Sequence, residues 1–157
     1  MIKKPELSHQ IKLVTVGIYS AKAEEWGSGV IYQSQTQQDK LFIITAKHCL
    51  CGKKFSHAAR WGDITIKFFD DEKQHYFEKS LPVGSTLLYF IDERDIAVII
   101  FDRVDAPFST KDLPQLYLVD ETKGIRNSAV FGFPNGSPND SLERVDTILE
   151  TVLKPID

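Results

Sequence analysis

The chain is poor in the features that would place it outside a reducing, aqueous setting. It has two cysteines in 157 residues, Cys49 and Cys51, with one residue between them. A bridge between these two would close a strained, tiny loop, so both thiols are expected to be free, as in a reducing compartment. No run approaches the ~20 apolar residues of a membrane span. The opening Met1-Ile2-Lys3-Lys4-Pro5-Glu6 has basic residues but no apolar core of ~7–15 residues behind them, so it does not read as a secretory signal. Clustered positive charge is missing as well. Lys3-Lys4 and Lys53-Lys54 are isolated pairs in a chain of net charge −3, which argues against a nucleic-acid footprint. Repeats and low-complexity stretches are absent. The expectation is a cytoplasmic protein with neither a membrane nor a nucleic-acid partner.

What is present is an ordinary globular composition, 42% hydrophobic and 26% charged, in a length sufficient for one domain with a true core. Short apolar or alternating runs rich in β-branched residues dominate, and they imply an all-β fold. The sequence predicts strands over Ile11–Tyr19, Gly27–Tyr32, Leu41–Ile44, Asp63–Phe69, His75–Lys79, Leu87–Ile91 and Ile96–Phe101. That number suffices to close one small antiparallel barrel. Residues 1–10 read as a short arm, with Pro5 discouraging helix, and 11–113 as the barrel. Residues 114–157 read as a crossing followed by further strands, among them 127–136. For 141–154, helical spacing of Leu142, Val145, Ile148, Leu149, Val152 and Leu153 competes with β-branched content; strand is the preferred reading and helix the open alternative.

Leu41-Phe42-Ile43-Ile44 reads as a strand buried on both faces, and it delivers Thr45-Ala46-Lys47-His48-Cys49 into a small-residue turn. Pairing of residues 27–33 with 41–46 would bring Gly27-Ser28-Gly29 near the histidine end, where glycines permit close approach. Downstream, Arg94-Asp95-Ile96-Ala97-Val98-Ile99-Ile100 joins an acidic residue to a core strand. An isolated histidine at a strand end is most simply a polar rim residue, and Asp95 alone most simply caps a loop.

Taken together, these segments resemble the trypsin-like (chymotrypsin-fold) serine peptidases. Thr45-Ala46-Lys47-His48-Cys49 is similar to the family's Thr-Ala-x-His-Cys, Asp95-Ile96-Ala97-Val98-Ile99 to its Asp-Ile-Ala-Leu-Leu, and Gly27-Ser28-Gly29-Val30 to its Gly-Ser-Gly strand, all in the family's order. The resemblance implies a first trypsin-like β-barrel over 11–113, with His48 as general base and acid and Asp95 as the residue that orients it. Asn127–Gly136 resembles the start of a second, here incomplete, barrel. The lack of a signal is closest to signal-less bacterial relatives.

The resemblance also defines what is missing. The family's nucleophile sits in a Gly-Asp-Ser-Gly-Gly-like turn, and the sequence contains none. Ser28 belongs to a segment that is structural in the family, and Ser137 has no following Gly-Gly to supply oxyanion amides. The expectation is therefore the N-terminal portion of a serine endopeptidase acting on protein or peptide substrate, inactive alone and completed by a second-barrel segment or a partner protein. The alternative is a non-catalytic protease-like interaction module. No cofactor and no metal are expected: His48, Cys49, Cys51 and His57 offer soft ligands, but their spacing matches no common zinc arrangement. A nucleophilic role for Cys49 is disfavoured because its side chain should point away from its neighbour His48. His9 and His75 read as surface histidines, and Trp26 and Trp61 as rim packing.

Overall fold

The computed structural model describes residues 7–21, 23–51, 63–81, 87–91, 94–111, 113–116, 128–132 and 143–147. Its first element corrects the sequence reading. Leu7–Val14 form a helix, α1, where an arm and then a strand from Ile11 were expected. The β-branched run then splits: Val14, 5% exposed, ends the helix, and Thr15–Ser20 become strand β1.

The next elements follow the apolar pattern. Trp26–Tyr32 form β2, Lys40–Thr45 form β3, and His48–Cys51 form a single helical turn, α2. Ile64–Asp70 and His75–Ser80 form β4 and β5, joined by the charged turn at residues 71–74. Leu87–Ile91 and Ile96–Asp102 form β6 and β7, and a 3₁₀ turn over Arg103–Asp105 leaves the last of them. All seven strands belong to one antiparallel sheet in the order β5-β4-β1-β2-β3-β7-β6. Ser128–Gly132 and Glu143–Thr147 form a separate antiparallel pair, β8 and β9. Within the ambiguous 141–154 stretch, residues 143–147 are therefore strand. Trp61, His57 and Ser137 lie outside the described residues.

The pairings put the large buried apolar side chains of the inner strands on one face. Ile18 stands opposite Ile66, Thr45 opposite Ala97, Ile43 opposite Ile99, and Leu41 opposite Phe101. Val16, Ile18, Ile31, Leu41, Ile43, Ile66, Ile99 and Phe101 are all at 1% exposure or less and form one cluster. In β3 the burial alternates: Leu41, Ile43 and Thr45 are buried, while Phe42 and Ile44 on the other face are half-buried. The strand is thus not buried on both faces, because its outer face meets only the half-covered outer rows of β2 and β7.

The sheet is strongly curled. Four strand spacings, about 19 Å if flat, separate β4 from β7. Yet the Phe108 ring packs against Phe68 of β4, centroids 5.2 Å apart, and against Phe101 of β7 at 6.4 Å. One ring can reach both only if the sheet wraps around it. Among the described residues, no helix is long and apolar enough to cross a membrane.

At Gly29 the curl leaves no room for a side chain. A Cβ there would lie 2.6 Å from Ile18 Cδ1, 2.7 Å from Ile43 Cγ2 and 3.2 Å from the Ile44 carbonyl oxygen. Gly29→Ala is expected to destabilise the fold by about 1–3 kcal/mol through overpacking. A lowered urea midpoint at unchanged m value checks this.

Candidate active site

His48 and Asp95 are 47 positions apart in the chain, and the β3–β7 register brings them together. Thr45 pairs with Ala97, so β3 exits toward His48 at the end where β7 is entered from Asp95. His48 Nδ1 lies 2.5 Å from Asp95 Oδ2, and the His48 main-chain N–H donates to Asp95 Oδ1 at 2.9 Å. The Lys47 main-chain N–H is a further donor to the same carboxylate. Both carboxylate oxygens are thus engaged, and the aspartate cannot turn without losing several bonds.

This geometry fixes the tautomer. An ionised carboxylate has only acceptors, so the shared hydrogen belongs to Nδ1, and the neutral ring carries its lone pair on Nε2. The two side chains are 48% and 45% exposed, so the ring is open to solvent. Partial burial pushes the Asp95 carboxyl up, but the His48 N–H, the imidazole and the Lys47 N–H together outweigh it and hold the group below its ordinary value. The arrangement can accept a proton at Nε2 and stabilise the imidazolium that results.

Around this pair the structure adds supports that sequence reading did not identify. Ser20 Oγ donates to the Leu50 carbonyl at 2.8 Å across 30 positions, and Leu50 is fully buried, so α2 is pinned at its core side. Thr45 Oγ1 donates to the Ser28 carbonyl at 2.7 Å, tying the ends of β2 and β3. Gly27 leaves room for the turn to dock, since a Cβ there would fall on Cys49 Sγ and lie 2.7 Å from Cys49 Cβ. The predicted closeness of the Gly-Ser-Gly segment to the histidine end is therefore present, but at Gly27 it is the cysteine side chain that uses the space. Nothing local in the sequence marks Ser20 for this role, since its partner belongs to a distant segment.

Cys49 and Cys51 are both free. Burial pushes the Cys49 thiol up, and hydrogen bonds toward Thr45 and Ser28 only partly oppose this. A buried, protonated thiol directed at β2 and β3 packs as a small apolar group and does not serve as a nucleophile. Among the described residues, no group of three or more His, Cys, Asp or Glu side chains is placed to hold a metal ion. His9 is half-buried rather than solvated: its Nε2 lies 3.3 Å from Asp71 Oδ1, and its ring meets Phe69 edge-on. His75 is exposed. Trp26 stacks at a tilt on Tyr19 under the Lys67 ammonium, 4.7 Å from its ring.

In comparisons with known proteins, no family model, no curated protein and no solved structure matches this chain.

The depressed Asp95 value sets a pH dependence. A carboxyl with a folded pKa below its unfolded one contributes stability above the unfolded value, near 4, and loses it as pH falls through the folded value. Carboxyl-carbon NMR is expected to place the Asp95 midpoint below that of an ordinary aspartate. In His48→Ala the midpoint should move up, because the side-chain bond is removed while the main-chain donors remain.

Proposed function

We propose that this chain carries the general-base half of a trypsin-like serine endopeptidase. The observation that carries the reading is the contact of His48 Nδ1 with an Asp95 carboxylate whose second oxygen is held by the His48 main chain. The pair sits at the ends of two adjacent antiparallel strands, in segments that match the family's histidine and aspartate motifs. On this reading His48 Nε2 takes the hydroxyl proton as a serine attacks the scissile carbonyl, then returns it to the leaving amine. Asp95 holds the ring and stabilises its charge in both steps. The serine and the oxyanion donors come from a longer product of the same locus or from a second polypeptide.

The strand order supports a barrel of the kind this reading requires. β5 and β6 are consecutive in the chain but stand at opposite ends of the sheet. From Ser80 to Leu87 the chain reaches at most about 25 Å. A flat seven-stranded sheet would hold its outer strands about 29 Å apart. The connection therefore draws the two ends toward each other, in the same sense as the curl around Phe108.

Exposure of the pair supports completion by another surface. Water screens the attraction between the ring and the carboxylate, and a covering half would strengthen it.

A fluorophosphonate serine probe tests the proposal, applied to the 157-residue chain and to the longest natural product of its locus. Labelling of the longer protein only, slowed at least about a hundredfold by His48→Ala, is the expected result. No labelling of either protein would overturn the peptidase reading and leave a protease-like module used for binding. Labelling of the short chain would overturn the division into halves.

A further inference from the structure

At the other end of β3 and β7, about 17 Å along the strands from the histidine end, the 33–38 loop and residues 103 and 115 enclose a polar groove. Its volume is about 460 Å³, within the range of small-ligand clefts, and Gln33, Ser34, Gln35, Gln38, Arg103 and Gln115 line it.

The lining groups are held by the backbone in a way that leaves a defined set of ligand contacts. Arg103 Nε donates to the Gln38 carbonyl at 2.7 Å, and its main-chain N–H donates to the Asp39 carbonyl at 2.8 Å. The guanidinium is thereby oriented while its two terminal nitrogens keep their donors for another partner. Gln33 Nε2 donates to the Leu113 carbonyl at 2.9 Å, and Gln115 Nε2 to the Gln33 carbonyl at 2.9 Å. Gln33 Nε2 also reaches the Pro114 carbonyl at 3.5 Å and Gln115 Nε2 the Leu116 carbonyl at 3.4 Å, so both hydrogens of each amide are engaged and the amide oxygens are what these glutamines offer. The groove presents one oriented cationic fork and fixed neutral acceptors.

The ligand that complements this set carries a carboxylate for the fork and N–H donors for the amide oxygens. The geometry points to this groove as a binding site for the carboxy-terminal end of an extended peptide, with the terminal carboxylate on Arg103 and the last main-chain N–H groups on Gln33 and Gln115. Charge nearby narrows the class further. Lys40 is paired with Asp102, and Asp39 and Asp105 stand close to it, so the surroundings are net acidic and Arg103 is the one cation in the groove's lining. A singly charged carboxylate is favoured over a phosphate or a run of acidic side chains. The site is independent of the peptidase reading, since it uses none of the residues at the histidine end.

The test is a ¹⁵N NMR titration of the 157-residue chain with acetyl-trialanine bearing a free carboxylate. Two control peptides accompany it: the same peptide amidated at its end, and an amidated peptide with an internal glutamate. Saturable shifts confined to residues 33–38, 103 and 115, at least about tenfold weaker with both controls, are expected. Arg103→Gln should abolish the shifts while its main-chain bond to Asp39 keeps the melting temperature. Gln115→Leu, which leaves the charge in place, should weaken them and serves as the second variant should Arg103→Gln unfold. Equal binding of the amidated peptide, a stronger response to the internal glutamate, shifts elsewhere in the sheet, or no saturation at about 10 mM would each overturn the proposal.

Discussion

The register of β3 against β7 is the constraint on which the rest depends. Both strands bury alternate residues, and the buried sets face each other as Leu41–Phe101, Ile43–Ile99 and Thr45–Ala97. A slip of one residue would turn an entire set to the outer face, so burial makes the register nearly unambiguous. At the opposite end the same register sets Lys40 against Asp102. That ion pair is more than a third exposed and screened by water, so it follows the register rather than setting it. The meeting of His48 with Asp95 is thus a consequence of apolar packing several residues away. The geometry of the pair at the rim inherits its precision from the core.

The turn after β3 shows how the same few residues divide between packing and exposure. Over one helical turn, Leu50 is buried, Cys49 lies against Gly27, and His48 stays half-exposed. Ser20 fixes the far side of that turn through the Leu50 carbonyl. A helical segment of four residues has little stability of its own, because nucleation costs more than a single turn returns. α2 exists because the sheet holds it on its buried side, and that leaves the histidine ring outside with a fixed orientation.

Legibility in the sequence tracked how much each segment's structure is decided locally. Strands β2, β3, β4 and β7 were readable because alternation and β-branched content agree with their burial, and the His48 and Asp95 segments were readable because they adjoin such strands. Residues 11–14 invite a strand reading, because Ile11, Val14 and the β-branched run beyond them suggest strand. Yet Ile11 and Val14, three apart, also share one face of a helix. What decides between the two is docking against β4, where Lys12 lies over the Phe69 ring and His9 meets its edge. That is tertiary information, carried by residues some 60 positions away. The same holds for Ser20 and Gly27: their partners, Leu50 and Cys49, are chosen by the fold and not by any neighbour in the chain. The half-exposure of Phe42 and Ile44 escapes the sequence for a related reason, since a continuous apolar run cannot reveal how fully its second face is covered.

The exposure of the His48–Asp95 pair can be set against the way its orientation is held. Burial commonly fixes a catalytic carboxylate by surrounding it, at the cost of desolvating a charge. Here the carboxylate is held by main-chain donors from Lys47 and His48, so its direction survives contact with water. Orientation and strength are therefore separable in this site. Two unit charges 4 Å apart attract by about 1 kcal/mol in bulk water and by about 4 kcal/mol at the effective dielectric near a protein surface. A surface that covered the pair would strengthen the interaction without needing to rearrange it, because the main chain has already set its geometry.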